Sequence, residues 1–242
     1  MEPVIVFLAG LAGGFVNVIA GGALVFVFPL LLAAGLPPMV ANATASVGLW
    51  PAQVPGVLGH WSSLRRSSIG PEILVAMAGA LLGASLLPVL GEGAFTAVVP
   101  WFLYAALATI LLGPRLVPET RGTAQYAGVA RTLIFLASVY GGYFGAGYSY
   151  VLLAAVVMSG VTDIHFANAR KNLIAVSANS AAVLPLSLAG LVRWDAAALV
   201  LIRGLLGGEL GRRSIDLLPR PALRLLIVSI GAVLSVYAAI TS

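Results

Sequence analysis

Apolar stretches fill almost the whole of this chain, and a lipid bilayer is the only solvent in which such a chain can fold. A helix crossing the hydrocarbon core needs about 20 apolar residues at 1.5 Å rise each. Six stretches meet that length: Pro38–Trp61, Pro71–Leu90, Ala94–Leu112, His165–Gly190, Trp194–Gly211 and Pro221–Ile240. Two more, Val4–Gly35 and Tyr126–Gly160, exceed what one crossing requires, and both are interrupted by glycines. Of the 242 residues 60% are hydrophobic and 9% charged, against about 25% charged in a soluble domain, so no water-facing exterior can be assembled. Met1–Ala20 has no basic leader and its apolar run continues to Gly35, so a cleavable signal is not expected. Cysteine is absent, which removes disulfides and thiolate chemistry.

The only long polar connection, Gly113–Gln125, divides the chain into halves that resemble each other. Ala41–Ala43 (Ala-Asn-Ala) recurs at Ala167–Ala169, an offset of 126. Gly79 and Gly83 recur as Gly204 and Gly208 at an offset of 125, and Gly13-Gly14 as Gly141-Gly142 at 128. Nearly constant offsets in the same order predict a duplication, with residues 1–116 and 126–242 as the two repeats of one membrane domain.

Positive charge orients these halves. If both glycine-rich segments cross once, the basic residues outside the apolar helices divide evenly between the two faces. If each enters and leaves on one side as a hairpin, all but Arg193 of those twelve fall on a single face. Basic loops favour the cytoplasm, so the hairpin arrangement is expected. The expected fold is an all-α polytopic membrane protein of eight hydrophobic segments in two inverted halves. Each half is a Gly-rich re-entrant or broken hairpin plus three transmembrane helices. The basic loops would be cytoplasmic in the inner (plasma) membrane and both termini non-cytoplasmic. The net charge of +5 is then loop arginine obeying topology, not a nucleic-acid footprint.

Backbone broken by glycine inside a bilayer persists only where protein or a polar cavity covers it, and helix starts facing such a break attract anions. Gly79/Gly83 and Gly204/Gly208, at small-xxx-small spacing, read instead as close helix packing. Gly13–Gly22 and Gly141–Gly147, by excess length and clustering, are expected to break, and Gly21, Gly22, Gly145 and Gly147 within them are the candidate anion contacts. Asn168, Asn172 and Asn179 fall within about 40° of one another on one helix face, and the same offsets in the first half hold Asn42, Ser46 and Gln53. The two stripes serve either as interhelical hydrogen bonds or as substrate contacts, and both roles turn them inward. Arg203 sits midway along its apolar helix and is a substrate-site candidate, with Asp195 or Glu209 as alternative structural partners. Lys171 lies closer to the asparagine face than Arg170 does and is the preferred cation of that pair. His60 and His165 lie near helix ends and support no catalytic role.

The glycine segments leading to GLPPMVANATAS (Gly35–Ser46) and FANARKN (Phe166–Asn172), followed by AGLVRWDAA (Ala189–Ala197), resemble the sulfite exporter TauE/SafE family over essentially the whole chain. The glycine run of the first repeat is thinner than the family pattern, at Ala20-Gly21-Gly22-Ala23. The resemblance implies a secondary carrier, an exporter, for sulfite, sulfoacetate, other sulfonates or related oxyanions. The expected partners are that small anion, H+ or Na+ as coupling ion, the bilayer and a second copy in a homodimer, with no nucleic acid and no cofactor. Backbone N–H groups, amides and a desolvated cation suit an oxyanion. An anion channel or a permease for another small anion is the alternative. An intramembrane hydrolase finds only Ser149 and two histidines, without a Gly-x-Ser-x-Gly elbow, and no Walker-type phosphate loop occurs.

Overall fold

The computed structural model describes residues 3–20, 22–58, 60–116, 126–214 and 229, and every element within them is a helix. The expected last span, Pro221–Ile240, and the break candidate Gly21 lie outside the described residues. Each glycine-rich segment is two helices joined by a short break. The first comprises α1 (Pro3–Ala20) and α2 (Leu24–Ala33). The second comprises α7 (Ala127–Tyr143) and α8 (Tyr148–Met158). At 10 and 11 residues, α2 and α8 rise only about 15–17 Å, half of a hydrocarbon core.

Helix continues unbroken through Gly13, Gly14, Gly141 and Gly142, which corrects the broader break expected from glycine clustering. These glycines serve close approach instead. A Cβ on Gly14 would run into the carbonyl of Gly204, and one on Gly142 into that of Ala80. A Cβ on Gly207 would strike the Leu11 carbonyl and one on Gly83 that of Val139. Thus α1 packs on α10 (Trp194–Ser214), while α7 packs on the first part of α6 (Gly70–Leu116). The hairpin helix of each half rests on a helix of the other. Matching contacts recur 128 residues apart on α1 and α7 and 124 apart on α10 and α6. These contacts match Gly204 with Ala80 and Gly207 with Gly83, an offset of 124 where the glycine spacing in sequence gives 125. Glycines are interchangeable in a string of small residues, whereas backbone contact selects one of them.

The stretch Gly70–Leu112 is, among the described residues, the helix long and apolar enough by itself to cross a membrane. It carries a break at Gly91 (φ 76°, ψ 174°), where a side chain would be strained. Ala80 on one side of Gly91 meets Gly142, and Ala106 on the other meets Gly147. A straight helix would hold Ala80 and Ala106 about 39 Å apart, but Gly142 and Gly147, five positions apart in sequence, are separated by at most about 18 Å. The helix therefore bends sharply at Gly91.

The stretch expected as one span, Pro38–Trp61, is instead α3 (Pro38–Leu49), a 3₁₀ turn (Trp50–Gln53) and α4 (Val54–Leu58), followed by α5 (Trp61–Arg66). Pro51 supplies no N–H and disfavours the regular helical turn before it, and the backbone passes there through the 3₁₀ turn. Its counterpart α9 (Ile164–Leu188) has no proline until Pro185 and runs 25 residues. An aromatic cluster closes the centre: Phe144, in the second break, lies 5.4 Å from Phe28 and 5.7 Å from Phe102, ring centre to ring centre.

Candidate functional site

Both breaks end in left-handed glycines that turn the chain sharply into the next helix. Gly22 has φ 98°, and Gly145 and Gly147 have φ 81° and 78°. The two breaks lie against each other, since a Cβ on Gly22 would sit 3.8 Å from the Gly147 amide nitrogen. Two hydrogen bonds hold the second break in shape: the Tyr140 hydroxyl donates to the Ala146 carbonyl at 2.8 Å and Asn42 Nδ2 to the Tyr143 carbonyl at 2.9 Å.

Between the breaks lies a cavity of about 50 Å³. About one probe sphere, 10–15 Å³, holds a water, so the space suits a few waters or one small polyatomic anion. From the first hairpin it is lined by Asn17, Gly22 and Leu24, and from the second by Gly141, Gly145, Tyr148 and Ser149. Ser46, Trp50 and Gln53 close one side and Asn179 another. The helix starts at Leu24 and Tyr148 both face this space, and neither is capped by a side chain. The positive ends of both helix dipoles face an occupant, while the Val25, Phe26 and Tyr150 N–H groups already donate to the Gly22, Ala23 and Gly147 carbonyls. The Tyr148 hydroxyl donates to Asn179 Oδ1 at 3.1 Å, which leaves the Asn179 Nδ2 as a donor. Gln53 Oε1 is buried without a partner. No charged side chain lines the cavity among the described residues.

Of the residues singled out in sequence, Ser46, Gln53, Asn179, Gly22 and Gly145 converge here. Gly147 caps α8 beside the cavity. Asn42 is buried and braces the second break, with its Oδ1 unpartnered. Asn172 and Lys171 are half-buried farther down α9, and Asn168 is exposed. Arg203 does not line the cavity. Its Cβ packs beside Gly10 and its guanidinium lies 4.3 Å from the centre of the Phe7 ring, a cation–π contact holding α10 to α1. Asp195 pairs with Arg193, at 3.0 Å. Sequence reasoning passed over Asn17, a lone amide in an apolar glycine segment, and Tyr148; Ser149 was weighed only as a nucleophile.

The other buried polar ties join the halves. Trp50 Nε1 donates to the Val176 carbonyl at 3.1 Å, and the Arg193 N–H to Thr44 Oγ1 at 3.0 Å. Arg170 pairs with Glu72 at 2.9 Å and donates to the Ser68 carbonyl at 3.2 Å. Glu72, which the sequence reading did not single out, is buried.

An all-helical membrane chain whose two broken helices meet at a small polar cavity has the build of a membrane transport protein. It belongs to the sulfite exporter TauE/SafE family, whose model matches residues 6–238. It is 28% identical to the probable membrane transporter protein YfcA of Escherichia coli over 236 residues, covering 96% of this chain and 87% of that protein. It is also 28% identical to the probable membrane transporter protein ORF9 of a Sinorhizobium species, covering 86% of this chain and 80% of that one. A probable membrane transporter protein of Haemophilus influenzae is 23% identical, with 93% and 89% covered. No solved structure matches. Family and relatives alike mark the chain as a membrane transporter.

Proposed function

We propose that this protein is a secondary carrier that exports a small sulfur-containing oxyanion, sulfite or an organosulfonate, by alternating access in the cytoplasmic membrane. The observation that carries this reading is the meeting of two uncapped helix starts at one cavity lined with Ser46, Gln53 and Asn179. Each helix start presents about half a positive charge, and the Asn179 amide adds a donor beside them, which suits a sulfur oxyanion without a metal or a cofactor.

The duplicated, inverted architecture belongs to the same proposal, with residues 1–116 and 126–242 as repeats. Reciprocal glycine contacts support it, and so does Trp50 bonding to Val176, its own counterpart at an offset of 126. Related residues touch each other only at a symmetry axis, and Gln53 and Asn179, also 126 apart, flank the cavity beside it. The Arg170 contacts with Ser68 and Glu72 support the hairpin topology. Eight simple crossings would put Arg170 and the Arg65–Arg66 connection on opposite faces, yet Ser68 follows that connection directly.

Counterflow in proteoliposomes tests the carrier. Vesicles loaded with unlabelled sulfite should concentrate labelled sulfite transiently, and a Gln53→Leu variant should lose the effect. Flux without saturation or counterflow would make the protein a channel. Counterflow with chloride or phosphate but with no sulfur anion would overturn the substrate assignment.

A further inference from the structure

The cavity is lopsided with respect to the two related helices. Ser46 and Gln53 of the first half both line it, but of their counterparts 126 residues on, Asn172 and Asn179, only Asn179 does. Asn172 lies two turns down the same face of α9, about 10 Å nearer the helix start. Between Asn168 and Asn172, Arg170 ties α9 to the first turn of α6. The pair is buried on both sides, with side-chain exposures of 12% for Arg170 and 8% for Glu72. The position related to Arg170 in the first half is Thr44, which makes one neutral hydrogen bond to Arg193 and leaves Ser46 facing the cavity. The end beside α3 is thus tied by neutral hydrogen bonds alone, Thr44 accepting from the Arg193 N–H and Asn42 donating to the Tyr143 carbonyl, while the end beside α9 is shut by an ion pair.

The ion pair is built to be broken. Glu72 Oε2 and Arg170 Nε are buried without partners, so neither ion is fully satisfied. A half-satisfied buried pair contributes little net stability but opposes any motion that separates its members. In a two-repeat carrier, the second access state exchanges the conformations of the halves.

We propose that Glu72–Arg170 is the latch that closes the cytoplasmic end of the substrate path, and that its opening brings Asn172 into the cavity as Ser46 leaves it. The structure is then the state open toward the α3 end. Lys171, half-buried and making no hydrogen bond or ion pair among the described residues, stands beside the latch where an arriving anion would meet it. This inference rests on the alternating-access reading above.

The chain has no cysteine, so single cysteines report access to a membrane-impermeant maleimide applied to spheroplasts or to inside-out vesicles. Asn172→Cys should label slowly in the otherwise unaltered protein. Adding Glu72→Gln should speed its labelling from the cytoplasmic face by roughly 5-fold or more, the lower end of coupling between two states. Labelling of Ser46→Cys from the opposite face should fall in parallel. The charge-exchanged double variant, Glu72→Arg with Arg170→Glu, should return Asn172→Cys to its slow rate. Unchanged labelling in folded Glu72→Gln protein overturns the latch, as does a rise from both faces or one that charge exchange fails to reverse. Should Glu72→Gln not fold, Glu72→Asp, which lengthens the pair by one methylene, is read by the same criteria. Sulfite counterflow measured on the parent protein separates the two claims. Its absence alongside shifted labelling removes the carrier reading alone, and its presence alongside unshifted labelling removes the latch alone.

Discussion

At the scale of residues, the cavity draws its polarity from amides, hydroxyls and backbone, and no cation lines it among the described residues. A hydrogen bond to a charged partner is worth about 1.5–3 kcal/mol. Gln53→Ala and Asn179→Leu should therefore each weaken half-saturation by roughly 10- to 100-fold while the purified protein stays monodisperse, measured as the sulfite dependence of proteoliposome transport. Arg203→Ala is the informative contrast. With its guanidinium over Phe7, the expected result is a lowered melting temperature with half-saturation unchanged. A large loss of sulfite affinity would instead restore Arg203 as a substrate ligand. Sequence pointed to Gln53 and Asn179 because matched amides in apolar helices have few reasons to exist. It could not separate them from Asn42, whose amide braces the Tyr143 carbonyl, since both uses place an asparagine on an inward face.

At the scale of elements, two different demands on glycine share one segment. Gly13, Gly14, Gly141 and Gly142 permit helices to touch, whereas Gly22, Gly145 and Gly147 permit the chain to turn. Gly147→Ala forces a left-handed backbone onto a residue that resists it, at about 1–2 kcal/mol, and crowds Ala106 as well. Its melting temperature in detergent should drop and transport should fall with it. Gly14→Leu meets the Gly204 backbone directly, and the expected outcome is loss of folded protein on size-exclusion chromatography. Turning and touching were not separable from spacing alone, because a glycine in a sequence shows only that a side chain is missing. The unwinding at Trp50–Gln53 was legible in Pro51, yet hydropathy outvoted it: an apolar run registers as a span whether or not its backbone stays helical.

At the scale of the whole molecule, each hairpin leans on a helix of the opposite half, so the halves are interlocked rather than laid side by side. Binding an anion at the shared cavity should stabilise the entire fold by mass action. The expected result is a rise in melting temperature with sulfite or a short sulfonate that chloride and phosphate do not reproduce at equal ionic strength. The proposed inverted topology makes a second expectation. A Ser242→Cys variant should react with an impermeant probe only from the non-cytoplasmic face, and reaction solely from the cytoplasm would overturn it.

Sequence by itself determined the solvent, the helical class and the short roster of polar suspects, and its offsets are the ground on which a doubling of the chain is proposed. Those are properties of composition and offset, which survive without coordinates because each residue contributes to them independently. Tertiary structure alone decided that Ser46, Gln53 and Asn179 share one cavity, that Arg203 lies on Phe7, and that Glu72 reaches Arg170 across 98 positions of chain. Such pairings depend on which helix faces which. In a bilayer, where every helix exterior is apolar, that choice is made by a few backbone contacts at glycine and not by the hydrophobic pattern.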